Sequence, residues 1–401
     1  MLRIFQANTV PAEGQQGSTW LELFFDLVYV AILIELGNRL SHDLTLGGAA
    51  SFAALYVPVF WSWLGLVLYT RYFPVDEIGQ RILTVAYMGA MVLVAFEIEH
   101  VTGASTTQFI LAYAVTKFIL ALMYGRSWKE YPQYRSFTSQ YVILNMIIGL
   151  LWLVIVFVAP TNFWLWGVVV AIDVFTPLFI RWSHRARNKP EMAHPPTKHH
   201  YMVHRFGELT IIVLGEFFIK LITNWEGEEL QWFNFYALMC LLGISVSIWW
   251  LYFDHTAHIE LHSKDVRRPV WMYTHYFLLA AITAYGVLGT KVFESAPGEV
   301  LSPEKRIMFC AALAIVAVAL GVIDWASPEK PGPMSRQAHL TVRLVSAALL
   351  LLLAAFGSGL SAGWVASLAM LLFVGQVGLD VYWRTQRPDP QIAQSITPGV
   401  S

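Results

Sequence analysis

Glu216, Asp173 and Lys117 are ionisable residues set deep inside long apolar runs. A charge at the centre of a membrane helix costs on the order of 2.5–3.5 kcal/mol by insertion scales, so such groups face a bundle interior or a polar cavity. Glu216 follows Phe206 by ten residues and Asp173 follows Phe163 by ten, and at a rise of ~1.5 Å per residue both carboxylates fall near mid-membrane. Lys117 is central in its own run. A lysine between two carboxylates is either a structural ion pair or a site where protons or a solute compete for charge. The structural pair is the preferred reading for Lys117 alone. For Glu216 the functional reading leads, because Gly215 beside it would admit a close helix and Lys220, one turn nearer the outer surface, is the only obvious local cation.

A second set stands nearer the inner face. Glu22 and Asp26 are spaced i, i+4, as are His204 and Glu208, so each pair shares one helical face. Arg71, Arg81, Arg205, Arg267 and Arg268 fall at the same level. Opposite charges there would form either an inner gate that breaks when two bundles rock or permanent bridges that position helices; Glu22, at the interface, is more simply solvated. The expected gating set is Glu22, Asp26, Arg81, His204, Glu208 and Arg268. His275 is most simply a hydrogen-bonded core histidine, with a proton-shuttle role as the sharper alternative; it joins Glu216, Asp173 and Lys117 as a candidate substrate or ion ligand.

The inner-face histidines raise a third chemistry. His199, His200 and His204 precede one apolar run and His255, His258 and His262 follow another, and both sets contain an i, i+4 pair compatible with metal binding. A membrane-embedded di-metal enzyme is therefore an alternative class, although solvated loop histidines are commoner and full histidine boxes are absent. No metal ligand set, catalytic residue or cofactor is assigned. The sequence has no G-x-x-x-x-G-K-[ST], H-E-x-x-H, C-x-x-C or G-x-S-x-G motif, so ATP-driven work would need a partner subunit. Cys240 and Cys310 both lie in apolar runs and suggest no disulfide framework. A net charge of -1 gives no support for nucleic-acid binding.

The elements that must hold these residues are membrane helices. Of 401 residues 57% are hydrophobic and 13% charged, against ~25% charged in a soluble domain, which excludes an ordinary water-soluble fold. Apolar segments fall near 21–37, 49–70, 82–98, 108–124, 140–159, 162–180, 206–222, 232–253, 270–290, 307–325, 344–360 and 364–383, giving about twelve spans, or ten if the two charged ones (the first and seventh) are discounted. The first run is interrupted by acidic residues, which reads as a retained helix rather than a cleaved signal. With the N-terminus inside, most of the 26 Lys and Arg fall on the inner face; Arg39, Lys220, Lys291, Lys305 and Arg306 stay outside, and Lys117 is intramembrane. That bias is the expected one for cytoplasmic loops. Trp61, Trp63, Trp152, Trp164, Trp249, Trp250 and Trp271 recur near segment ends and read as interfacial anchors.

The predicted organisation is a cytoplasmic tail (1–19), a first six-helix half (20–182), a basic His- and Pro-containing cytoplasmic loop (183–203), a second six-helix half (204–384) and a disordered tail (385–401). An internal repeat supports it. Glu22-Leu-Phe24-Phe-Asp26 aligns with His204-Arg-Phe206-Gly-Glu208, Trp63 meets Trp250, Arg81 meets Arg268, and the motif around Asp173 resembles that around Asp380. Six helices return the chain to its starting side, so the halves would be parallel repeats, an arrangement that often places a solute site between them. Duplication that merely builds a stable bundle is the alternative.

Trp20-Leu-Glu22-Leu-Phe24-Phe25-Asp26-Leu-Val-Tyr29-Val resembles the opening signature of the bacterial low temperature requirement A family. Arg205-Phe206-Gly207-Glu208-Leu-Thr210-Ile-Ile-Val-Leu-Gly215-Glu216 resembles its second signature, and Trp249-Trp250-Leu-Tyr252-Phe253 followed by Tyr273-Thr-His275 resembles its later helices. The similarity runs from about residue 18 to 384. Where an acidic residue is expected before the arginine, this chain has His204. The resemblance implies a multi-pass protein of the bacterial inner membrane, linked by name to growth in the cold, with no settled substrate or reaction.

The expected fold is thus an all-α polytopic membrane protein of about twelve helices in two parallel six-helix repeats. Its expected partners are the lipid bilayer and a small solute or ion, without nucleic acid, and an oligomer is compatible with the sequence. The leading function is a secondary transporter or proton-linked permease, ahead of the metal enzyme and of a scaffold without turnover.

Overall fold

A computed structural model describes residues 19–73, 77–99, 101, 106–186, 200–223, 225, 229–256, 267–328 and 335–386. Twelve α-helices fill them: α1 Trp20–His42, α2 Leu46–Tyr72, α3 Ile78–Ile98, α4 Thr106–Glu130, α5 Arg135–Val158, α6 Phe163–Ala186, α7 Tyr201–Thr223, α8 Trp232–Thr256, α9 Arg268–Phe293, α10 Pro303–Ala326, α11 Arg336–Phe356 and α12 Ala362–Gln386. A single 3-10 turn at Pro132–Tyr134 and one isolated β-bridge, Val300 to Ser361, complete the regular structure. Ten of the helices are long and apolar enough to cross a membrane. The other two are α1 and α7, as long as their neighbours but carrying Glu22, Asp26, Glu35 and Arg39, and Arg205, Glu208, Glu216 and Lys220. The protein is a multi-pass membrane protein.

Helix starts follow local capping chemistry. Thr19 and Glu22 form a reciprocal capping box on α1, and the hydroxyls of Thr45, Ser302 and Ser335 accept the first free amides of α2, α10 and α11. Several helices run past their apolar segments, α7 and α11 among them. α7 begins at Tyr201 rather than near 206, and α11 begins at Arg336 and stops at Gly357 rather than spanning 344–360. In both, polar residues ahead of the apolar segment are buried against other helices, Tyr201 and Arg205 in α7 and Arg343 in α11, so helical structure runs past the hydrophobic window.

Burial separates inner from outer helices. The apolar windows of α2 and α9 are each 72% buried, whereas those of α6 and α11 are 28% buried, so α2 and α9 are central and α6 and α11 are coated by lipid. Exposed Phe157, Phe96 and Trp164 would be an aggregation hazard in water and are ordinary in hydrocarbon. α1 packs on α3 and α7 on α9; α4 and α5 form one antiparallel pair, α10 and α11 another. The first six helices meet the last six chiefly where α1 and α2 touch α7 and α9.

Aromatic rings fill that seam. Trp63 of α2 meets Phe206 of α7 at 5.0 Å, and Phe206 meets Trp271 of α9 at 5.2 Å. Trp63, Trp152 and Trp271 are fully buried and Trp61 nearly so, which corrects their reading as interfacial anchors; Trp164, Trp249 and Trp250 are exposed to the surroundings, as anchors require. Trp63 stands well inside α2, and its indole N–H has a buried partner that an interfacial residue would not need.

Candidate functional site

The start of α1, the start of α7 and the end of α2 converge on what is here called the near face. Glu22 accepts a short hydrogen bond from the Tyr201 hydroxyl, and that same oxygen lies 2.6 Å from the Thr70 hydroxyl. One turn deeper, Asp26 Oδ1 accepts from Arg205 Nη2 at 2.7 Å and from the Trp63 indole N–H at 2.8 Å. Asp26 and Arg205 are 0% and 1% exposed. Asp26 Oδ2 and Arg205 Nε have no hydrogen-bond partner among the described residues. Arg205 Nη1 also lies 3.7 Å from Glu208, which is 3.1 Å from the half-exposed imidazole of His204. Glu22, expected to be solvated, is instead buried. Arg81 is exposed on the first turn of α3, and Arg268 is buried at the start of α9.

Lys117 and Asp173 form a pair at 2.5 Å in the middle of α4 and α6, with Tyr113 donating to Asp173 at 2.8 Å. They border a cavity of about 20 Å³ as traced by the centre of a water molecule, room for about one water. Leu68, Tyr124 and Tyr141 extend its wall toward the near face.

Glu216 does not join them. It lies two-thirds of the way along α7, because that helix starts earlier than its apolar run, and it pairs with Lys220 at 3.0 Å. Lys220 also donates to the Ile34 carbonyl of α1 at 3.1 Å. The expected single cluster of Glu216, Asp173 and Lys117 is therefore two separate ion pairs, one within the first six helices and one at the seam. Gly215 does not supply the close approach either. It is exposed, with open space where a Cβ would stand, and the glycine that makes room is Gly37 of α1, whose Cβ would lie 2.1 Å from Lys220 Nζ.

His275 is fully buried. Its Nδ1 is 2.7 Å from the Trp271 carbonyl, which only an N–H can satisfy, so Nε2 accepts from the Tyr252 hydroxyl at 3.0 Å. Packed at 4.4 Å from Phe206 and 4.1 Å from Trp271, it is the core histidine of the simpler reading and is not brought to either ion pair. The Asp173 and Asp380 motifs, aligned as repeats, stand at different depths: Asp173 is near the middle of α6, and Asp380 is in the last third of α12.

The two signature segments at the starts of α1 and α7, remote in sequence, are thus one site, joined by Asp26–Arg205 and Glu22–Tyr201. The model of the family described as bacterial low temperature requirement A protein (LtrA) matches residues 17–376. The chain belongs to the LtrA family. The LtrA match takes in every helix from α1 into α12, and with it both ion pairs and the charged groups at the starts of α1 and α7. An uncharacterized protein of Rhizobium meliloti (strain 1021) is 24% identical over 274 residues, covering 64% of this chain and 63% of that protein's length.

Several residues of the site were not singled out from the sequence. Tyr201, Thr70 and Trp63 are polar partners whose roles depend on packing, though the depth of Trp63 within its run was a usable signal. Arg71 is 2% exposed, and none of its three guanidinium nitrogens has a hydrogen-bond partner among the described residues. At the near face, His255, Asp324, His339, Arg343 and Asp380 also converge. His339 and Arg343 are spaced i, i+4 just before an apolar run, a signal of the same kind as the one read at His204. His199, His258 and His262 lie outside the described residues. His200 and His204 occupy the start of α7, where His204 is engaged with Glu208.

Proposed function

We propose that this LtrA-family chain is a secondary transporter or proton-linked permease for a small polar or charged solute, in the bacterial inner membrane with both ends of the chain cytoplasmic. It is built of two parallel six-helix repeats that move against each other. The observation that carries the reading is the buried, incompletely satisfied Asp26–Arg205 pair across the contact between the first and last six helices. A buried pair between rigid bundles is costly to keep as mere glue, since apolar side chains of equal volume often stabilise as well or better. Placed at a seam it suits a gate that opens when the bundles part.

Matching neighbours in the two halves support the repeat: α1 on α3 and α7 on α9, α3 on α4 and α9 on α10, α4 on α5 and α10 on α11. The cavity beside Lys117 and Asp173 has room for about one water, so a larger solute would enter only after the bundles move. Arg71, without a hydrogen-bonding partner among the described residues, supports a solute bearing an anionic group.

Reconstitution in liposomes tests this. Proton or solute uptake that saturates is expected, lost in Asp26→Asn and Glu216→Gln while both variants remain folded and inserted, and regained at least in part by exchanging the charges in Asp26→Arg with Arg205→Asp. Saturating uptake that persists unchanged in Asp26→Asn removes the gate. No flux across a panel of amino acids, small carboxylates and ions leaves a bundle without turnover.

A further inference from the structure

At the near face of the last six helices, side chains from four different helices gather: His255 at the end of α8, Asp324 near the end of α10, His339 in the first turn of α11 and Asp380 in α12. One ligand atom each from His255, Asp324 and His339 lie within 4.8 Å of one another. Asp380 stands against both imidazoles, with Oδ2 3.3 Å from His255 Nε2 and Oδ1 3.6 Å from His339 Nδ1. Two ligands ~2.1 Å from a tetrahedral zinc ion stand about 3.4 Å apart, so the Asp380 contacts already have the spacing of neighbouring ligands. The two imidazoles face each other with ring centres 4.7 Å apart.

The surroundings suit a cation. Asp380 is 3% exposed, and its Oδ1 has no hydrogen-bond partner among the described residues although it points at His339. Arg343, fully buried, donates to Asp380 Oδ2 at 3.1 Å, lies 3.8 Å from Asp324 and donates to Gln376 at 2.8 Å. Its single positive charge offsets one of the two carboxylates and leaves the other beside the two imidazoles. Arg343 fixes Asp380 through the same Oδ2 that faces His255, as hydrogen-bond partners of metal ligands do. The histidine side chains are 16% exposed, which leaves an entry path from the near face.

We propose that His255, Asp324, His339 and Asp380 bind one divalent transition-metal ion. Two nitrogens and two carboxylate oxygens in a compact set suit zinc, or cobalt(II) in its place; magnesium and calcium, which take mostly oxygen ligands, are disfavoured. The ion ties α8, α10, α11 and α12 together. The site is independent of the transport reading and of the histidine pairs at 200/204 and 258/262.

The test uses the full chain, purified in detergent with any histidine tag removed, stripped with a chelator and titrated with zinc or cobalt(II) alone. One equivalent per chain is expected after desalting, with the visible absorption of tetrahedral cobalt(II). His339→Ala and Asp324→Asn should each weaken binding at least about 100-fold, beyond the roughly 10–100-fold typical of an outer-shell change, while His204→Ala leaves it intact. Failure of the stripped chain to take up either metal, or uptake surviving in the His255→Ala, His339→Ala double variant, overturns the proposal, as does loss of uptake in His204→Ala alone. Should the double variant not fold, the partly exposed His339→Ala decides by the same cobalt spectrum.

Discussion

A methyl group on Gly37 would stand 2.1 Å from Lys220 Nζ, whereas one on Gly215 would meet nothing within 4 Å. Lys220 in its present position spans the Glu216 carboxylate and the Ile34 carbonyl, and both contacts depend on the space that Gly37 leaves. Gly37→Ala is therefore expected to push the ammonium off both acceptors and to lower thermal stability in detergent to the level of Lys220→Met. Gly215→Ala should be silent or slightly stabilising, since alanine is the better helix former by up to ~1 kcal/mol. A Gly37→Ala melt indistinguishable from wild type would mean that Lys220 has another resting place. The contrast also shows why Glu216 and Gly215, adjacent in sequence, face in different directions: a helix turns 100° between them.

Among the elements, α9 stands out because its tyrosines reach into helices of the first half beside prolines. Tyr276 donates to the Ala53 carbonyl of α2 at 2.7 Å, near Pro58, and Tyr273 donates to the Val174 carbonyl of α6 at 2.6 Å, near Pro177. A proline within a helix has no N–H for the carbonyl four residues back and loosens the ladder around it. The carbonyls freed in this way are those of Ala54 and Asp173, so each tyrosine hydroxyl binds the carbonyl next to the freed one, in the turn that the proline loosens. Each bond is worth about 0.6 kcal/mol on average by double-mutant cycles in a membrane helix bundle. Tyr273→Phe and Tyr276→Phe are expected to cost about that each in reversible unfolding, and the double variant to cost the sum, since the two bonds serve separate helices. A double variant as stable as wild type would show that the carbonyls are satisfied without α9.

For the whole molecule, alternation of twelve helices puts the α4–α5 connection at the near face and the α5–α6 connection at the opposite one. Cys240 and Cys310 are buried, so background thiol labelling should be low. Gln133→Cys and Asn162→Cys, both at exposed positions, should label from opposite sides of sealed vesicles, and Ser361→Cys from the same side as Asn162→Cys. Labelling of Asn162→Cys and Ser361→Cys from opposite sides would break the alternation. The helical membrane class was legible in the sequence because hydrocarbon demands internally satisfied backbone over some twenty apolar residues, a constraint that acts locally on each segment. The two signature segments, the burial of Lys117 and Asp173, and the exclusion of ATP-binding motifs were legible for the same reason: each is a property of residue type at a position. Which charges meet was not. Lys117 chose Asp173 and not Glu216, Asp26 chose Arg205 of a helix far along the chain, and His339 and Asp380 came to His255 across three helices, because ion pairing inside a bundle is set by helix rotation, depth and neighbour. Those quantities arise only when all the helices pack at once.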